Sequence, residues 1–170
     1  MSCSFDINFF TCKMEETLPS WAPVSGAHIV YKKESLKMTE EQWEREYEAL
    51  MEIARQHLDP AWDHGEVAVL KTVTGNVYVA EIPDYWDPER REPLENQCME
   101  KLRDAGDTQV LCCLATVNGR NPEILSWNFR DGLIRLDERN LDTEAFLWGG
   151  EDLILVKPFR RLLPPDYKIK

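Results

Sequence analysis

Cys98 and Glu100 are the residues of this chain whose types and spacing could do chemistry. The triplet Cys98-Met99-Glu100 puts a potential metal thiolate two residues before a carboxylate. Such a carboxylate could move protons for a metal-activated water. A structural role also fits, because Cys98 belongs to an apolar helical stripe and Glu100 lies on the other, solvated side. The sequence favours the structural role for both residues.

The helix that carries this pair is predicted over residues 92–106. Its apolar side chains recur at helical spacing, and Gly106 stands where a left-handed C-cap belongs. These apolar residues are Leu94, Cys98, Met99, Leu102 and Ala105. An apolar run over 109–117 follows, which is typical of a strand covered on both faces. The helix and this strand are therefore expected at the centre of the fold.

A second helix and four further strands are predicted around this centre. Thr39 and Gln42 form a capping-box pattern, which predicts a helix over 40–58. β-branched runs on both sides of Thr74-Gly75-Asn76 predict a hairpin. The four strands are expected over residues 66–73, 77–82, 145–149 and 152–157. Together with the strand at 109–117, they predict a mixed five-stranded sheet with helices on its faces.

The segment 123–137 has two interpretations. Asp131-Gly132 between apolar runs is a hairpin signal, and it would give an α+β fold with an antiparallel meander over 109–157. The alternative is a helix with Ser126 as its N-cap, in which Gly132 would cost about 1 kcal/mol relative to Ala. Propensity alone favours the hairpin.

Composition and charge exclude several classes of function. The length of 170 residues fits one domain over 39–170, with an N-terminal arm over 1–38. A net charge of −11 opposes binding to nucleic acid. No apolar run is long enough to span a membrane, and no secretory signal is present, so a cytoplasmic protein is expected. The odd number of five cysteines favours reduced thiols over a disulfide framework.

The order of the elements and three short motifs resemble the cytidine deaminase superfamily over roughly residues 40–167. Cys98-Met99-Glu100 is similar to its [HC]-x-E motif, in which the first residue binds zinc and the Glu shuttles protons. Arg130 and the residues after it resemble the segment that follows the P-C-x-x-C motif of the family. The chain ending Leu162-Leu163-Pro164-Pro165-Asp166-Tyr167 is similar to its L-L-P-x-x-F ending. The resemblance implies an α/β three-layer sandwich and a homo-oligomer.

The departures from the family pattern affect every part of its active site. Ser126 and Phe129 stand where the two cysteines of P-C-x-x-C are expected, and neither side chain can replace a zinc thiolate. Ile82 stands where the family has a nucleoside-binding Asn, and only Asp84 could replace the nearby acid. Water activation in the family depends on the metal. The resemblance therefore implies a deaminase fold whose zinc and substrate sites are both incomplete.

We therefore expect a non-catalytic, deaminase-like binding or regulatory domain with no cofactor. Its ligand would be an unidentified protein or small molecule, without nucleic acid or membrane. The alternative is a zinc-dependent nucleoside or nucleotide deaminase with an altered ligand set, a hydrolase acting on the C–N bond of a nucleobase. Under that alternative Cys98 would bind the metal and Glu100 would be catalytic. The residues expected to line a pocket are Asp84, Tyr85, Trp86, Ser126, Trp127 and Phe129.

Overall fold

The computed structural model describes residues 38–58, 65–83, 92–117, 119–150 and 153–169. The predicted N-terminal arm therefore lies outside the described residues, except for Met38. Three helices and six strands are present in these ranges: α1 (Glu40–His57), β1 (Glu66–Thr72), β2 (Val77–Ile82), α2 (Leu94–Ala105), β3 (Val110–Val117), β4 (Asn121–Glu123), α3 (Trp127–Leu136), β5 (Glu144–Gly150) and β6 (Leu153–Pro158). None of these helices has both the length and the apolar character needed to cross a membrane.

The strands form one mixed sheet in the order β2-β1-β3-β5-β6, and β4 extends the sheet beside β3. β1 is antiparallel to both β2 and β3, so β2 and β3 run parallel to each other. β3 and β5 are also parallel, and β6 returns antiparallel to β5. The predicted mixed sheet is thus confirmed. The short strand β4 was not predicted.

Helices cover both faces of the sheet, which gives three layers. α1 covers one face and buries Trp43, Leu50, Met51 and Ala54 against β1, β3 and β5. α2 and α3 cover the other face. Cys112 and Cys113 follow each other on β3 and therefore point to opposite faces. Cys112 lies in the core under α1, and Cys113 lies in the core under α2 and α3.

Local signals fix where α1 and α2 begin and end. At the start of α1, Thr39 Oγ1 accepts a hydrogen bond from the Gln42 backbone N–H at 3.3 Å, and Gln42 Oε1 accepts one from the Thr39 N–H at 2.8 Å. The predicted capping box is therefore present. Gly106 ends α2 with φ 64°, in the left-handed region where glycine carries no steric penalty.

The preference for a hairpin over 123–137 was wrong, because residues 127–136 form the helix α3. The Ser126 hydroxyl caps this helix by accepting a hydrogen bond from the Phe129 backbone N–H at 3.1 Å. Phe129 and Leu133 are fully buried on one face of the helix. Burial of this stripe outweighs the local turn propensity of Asp131-Gly132. The antiparallel meander over 109–157 is excluded as well, because α3 is the crossover between the parallel strands β3 and β5.

Candidate functional site

The topology brings the first turns of α2 and α3 to the same edge of the sheet. β2, β3 and β5 run in one direction; α2 leads from the end of β2 to the start of β3, and α3 leads toward the start of β5. Both helices therefore begin at the carboxyl ends of parallel strands, where α/β proteins place their binding sites. Pro93, Leu94 and Glu95 begin α2, and Ser126 and Trp127 begin α3.

Cys98 lies one turn beyond this edge, inside the core. Its side chain is fully buried in the apolar cluster beneath α2. Burial raises the pKa of the Cys98 thiol to about 12, although the charge of Lys101 acts in the opposite direction. A metal ligand must be a thiolate, and this environment keeps the sulfur protonated. Glu100 is exposed on α2, so the structure does not bring Cys98 and Glu100 together at the edge.

Glu95 is the carboxylate of α2 that lies closest to this edge, and sequence reasoning did not single it out. It is half-buried in the first turn of the helix, at the positive end of the helix dipole. Pro93-Leu94-Glu95 has the same x-x-E pattern as Cys98-Met99-Glu100, five residues earlier. Pro93 precedes the helix, and proline at a helix start was the signal that could have set this register.

The start of α3 has a hydroxyl and an aromatic side chain in place of metal donors. The oxygen of Ser126 is already used to cap the helix. Phe129 is 1% exposed and fills the core, so it does not line an open surface. Trp127 is 39% exposed, so part of its ring faces solvent at this edge. Asp84, Tyr85 and Trp86, which were also expected here, lie outside the described residues.

Arg130 lies behind this aromatic side chain. It is 8% exposed, and its Nε donates to the Leu125 carbonyl at 3.1 Å. Its Nη1 donates to the Leu162 carbonyl. The guanidinium carbon lies 5.6 Å from the centre of the Trp127 ring, within reach of a cation–π interaction. Burial lowers the pKa of Arg130, while nearby Cys113 acts in the opposite direction.

The C-terminal segment folds back over the start of α3. The rings of Trp127 and Tyr167 meet edge to face, with centroids 5.4 Å apart and planes at 82°. The Tyr167 hydroxyl donates to Asp131 Oδ1 at 2.9 Å. This carboxylate also accepts from Arg135 Nε at 2.6 Å. Although burial would raise the pKa of Asp131, these two hydrogen bonds lower it overall. Trp127, Arg130 and Tyr167 therefore form a fixed aromatic surface at the edge, named the α3 surface below.

The residues at these helix starts do not fit zinc. A catalytic zinc site needs three protein ligands, normally His, Cys or a carboxylate, and an open position for water. Only Glu95 among the first-turn residues is of these types. In the described parts of the chain, no three His, Cys, Asp or Glu side chains come together as a group that could hold a metal ion. No chemical step through zinc is therefore assigned to this edge.

The fold is that of the cytidine deaminases. The cytidine deaminase of Burkholderia pseudomallei superposes with a TM-score of 0.52 at 18% identity, over 71% of this chain and 98% of that enzyme. The Bacillus anthracis enzyme superposes with a TM-score of 0.52 at 17% identity, over 73% of this chain and 88% of the enzyme. The Mycobacterium leprae enzyme superposes with a TM-score of 0.52 at 14% identity, over 69% of this chain and 97% of the enzyme. At this identity the likeness concerns the fold.

Searches with the sequence found neither a matching family model nor a matching curated protein. The structural neighbours nevertheless support the resemblance that the order of the elements and the short motifs implied. The described part of the chain is therefore an α/β domain with the cytidine deaminase fold.

Proposed function

We propose that this chain is a non-catalytic, cytidine-deaminase-like domain that acts by binding a partner or a small ligand. The observation that carries the proposal is the set of residues at the two helix starts. Pro93 and Leu94 begin α2, and Ser126 and Phe129 stand at the positions that the family motif assigns to zinc cysteines. None of these four side chains offers the thiolate or imidazole that a catalytic zinc requires.

Without a metal, the acids of α2 have no activated water to serve. In zinc deaminases the metal supplies the nucleophile, and the glutamate transfers protons around it. Cys98 does not replace the missing ligands, because it is a protonated thiol within the core. Glu95 lies in the first turn of α2, and Glu100 lies on its exposed side. Both acids are proposed to have no role in catalysis.

The α3 surface is the proposed contact for a ligand. Trp127 exposes part of a large aromatic ring, and Tyr167 and Arg130 hold that ring in one orientation. Rigid aromatic groups of this kind provide contact area at a low cost in conformational entropy. The acidic net charge of −11 opposes nucleic acid as the ligand. A protein, or a planar small molecule that stacks on an aromatic ring, fits this surface in a cytoplasmic setting.

The non-catalytic part of the proposal is tested by metal content and ammonia release. Protein purified without added metal should contain far less zinc than one ion per chain. It should release no ammonia from cytosine, adenine or guanine nucleosides and nucleotides, with or without added zinc. Stoichiometric zinc together with turnover would contradict the proposal and support the altered deaminase. Loss of that turnover in either Glu95→Gln or Glu100→Gln would then identify the proton shuttle.

The binding part is tested by titrating the same nucleosides while following tryptophan fluorescence. A ligand that stacks on the α3 surface should change the emission of the wild type and of Trp148→Ala, but not of Trp127→Ala. Trp148 is a matched control because it is 53% exposed and lies on the strand β5. If no nucleoside changes the emission of the wild type, a small stacking ligand of this kind is excluded, and the proposed ligand of this surface is a protein.

A further inference from the structure

Arg130 is a buried arginine without an acidic partner among the described residues. The side chains of Arg135 and Arg139 are 50% and 65% exposed, and each pairs with a carboxylate, Asp131 and Asp137, at 2.6 Å. Arg130 is 8% exposed, and its hydrogen bonds go to backbone oxygens. A charge that leaves water normally gains an ionic partner, because its desolvation is otherwise uncompensated. The usual pattern is therefore reversed here, since the exposed arginines are paired and the buried one is not.

Three backbone carbonyls fix the orientation of the Arg130 guanidinium. Its Nε donates to the carbonyls of Leu125 at 3.1 Å and Ser126 at 3.4 Å, and its Nη1 donates to the Leu162 carbonyl. These oxygens satisfy N–H groups but carry no net charge that could neutralise the cation. Nη2 has no acceptor among the described residues, and it is not enclosed in the core. One nitrogen of a rigidly oriented cation is therefore available to a ligand.

The start of α3 adds a second positive element at the same place. Ser126, which accepts from the guanidinium, directly precedes the helix, so the cation lies at the positive helix end, where it is itself unfavourable. Ser126 accepts the backbone N–H groups of Phe129 and Arg130. In the parts of the chain that the structure describes, the N–H groups of Trp127 and Asn128 have no acceptor. First-turn N–H groups of this kind bind anions.

We propose that Arg130 and the start of α3 bind the oxyanion of a small planar ligand, a carboxylate or a phosphate. The flat guanidinium group matches both of these anions in geometry and charge. The planar part of the ligand would contact the exposed part of the Trp127 ring, whose centre lies 5.6 Å from the guanidinium carbon. This inference rests on the proposed binding function of the α3 surface, and it specifies the charge of the ligand.

The net charge of −11 is compatible with a small anion at this site. Salt screens exposed carboxylates over about 8 Å at physiological ionic strength, whereas the guanidinium and the helix N–H groups would contact the ligand directly. A nucleic acid has to bring many phosphates toward the acidic surface at once, so it remains disfavoured. The ligand is therefore a small molecule with one anionic group.

Two pairs of probes that differ in charge test this site. Benzoate is compared with benzamide, and cytidine monophosphate with cytidine, by titration into the full chain while tryptophan fluorescence is followed. The charged member of at least one pair should bind about tenfold more tightly than the neutral member, because hydrogen bonds between charged groups are the stronger ones. The difference should shrink in high salt. The pair that shows the larger difference identifies a carboxylate or a phosphate as the natural group.

Arg130→Gln links the preference for an anion to the guanidinium. The variant removes the charge and keeps an amide that can donate to a carbonyl, and it should bind the charged and neutral probes with affinities equal to within about twofold. Arg103→Gln is the matched control, because it makes the same change in net charge at an exposed position in the last turn of α2. It should keep the preference of the wild type.

Nuclear magnetic resonance of the wild type keeps the test valid if Arg130→Gln does not fold. Benzoate should shift the signals of Arg130 Nε–H and of the Trp127 and Asn128 backbone N–H groups, and benzamide should not. Equal affinities within both probe pairs would overturn the site, as would the lack of saturable binding by either anion or a preference that persists in Arg130→Gln. These results would leave the proposed non-catalytic function in place, because that function is contradicted only by stoichiometric zinc together with turnover.

Discussion

Replacing Asn140 by alanine is expected to be among the most destabilising single changes in the described part of the chain. Asn140 is fully buried in the turn before β5. Its Nδ2 donates to the Thr108 carbonyl at 2.9 Å and to the Leu133 carbonyl at 2.8 Å. Its Oδ1 accepts from the Val110 N–H at 2.8 Å. One side chain thus joins the end of α3 and the start of β3.

The expected loss follows from the groups that Asn140→Ala would leave without a partner. The Val110 N–H lies in an almost fully buried residue and would lose its partner, whereas the buried Leu133 carbonyl would keep the hydrogen bond from the Asp137 N–H. A buried polar group that loses its partner costs about 1–3 kcal/mol. The Thr108 carbonyl is partly exposed and water can replace the amide there, which costs less. The total is about 3 kcal/mol, a large part of the roughly 5–15 kcal/mol that stabilises a typical domain.

Urea unfolding followed by circular dichroism measures this loss, and the melting temperature should fall by about 10 °C. Asn128→Ala is the matched control, because Asn128 is exposed on α3 and should change stability by less than about 0.5 kcal/mol. A loss below about 1 kcal/mol for Asn140→Ala, with an unchanged slope against urea, would refute the reasoning. Such a result would mean that water or a small backbone shift satisfies the three groups.

Three further outcomes are expected. The hydrogen bond from the Arg139 side chain lowers the pKa of Asp137 to about 2 in the folded protein. The ionised carboxylate therefore stabilises the fold fully when the pH is above its unfolded pKa of about 3.9, and this stabilisation is lost as the pH falls toward 2. Asp137→Asn should therefore cost about 1 kcal/mol at neutral pH after solvent screening, and progressively less below about pH 4, in urea unfolding. Gly132→Ala should raise stability by about 0.5–1 kcal/mol, because a Cβ there would lie 3.5 Å from Met99 Cε at ordinary contact distance; a lower melting temperature would contradict this. The buried thiols of Cys98, Cys112 and Cys113 should react with a disulfide reagent only at the rate of global unfolding, since burial raises the pKa of Cys98 and Cys112 to about 12 and raises that of Cys113 well above its usual range. Peptide mapping that found rapid labelling of these three cysteines in the native protein would contradict this.

Strong local patterns predicted most of the architecture. The capping box at Thr39, the β-branched runs of β1 and β2 and the glycine at Gly106 each specify one conformation without help from the rest of the chain. Those elements were predicted to within about two residues, and together with the parallel crossover through α2 they define the sheet order.

The errors fall where packing decides between local alternatives. Asp131-Gly132 has the composition of a turn, and only burial of Phe129 and Leu133 against the sheet makes the segment a helix. In α2 the periodic stripe predicted the helix but not which turn begins at the edge of the sheet. The prediction therefore rested on Cys98-Met99-Glu100 alone, and Pro93-Leu94-Glu95 at the start of the helix was not considered. Segment 84–91, which supplies half of the expected pocket residues, lies outside the described residues.

Two polar clusters that join elements of this fold lie at the end of the sheet opposite the helix starts. Asp107 Oδ2 accepts from Thr72 and Thr74 hydroxyls at 2.7 Å and from Asn76 at 2.9 Å, and so ties the β1–β2 turn to the loop before β3. Asn140 acts at the same end. These two clusters are thus spatially separate from Glu95 and Trp127 at the helix starts. Substitutions at the carboxyl edge can therefore accumulate at little cost in folding free energy, and a scaffold of this kind can lose or gain a site while its shape is retained.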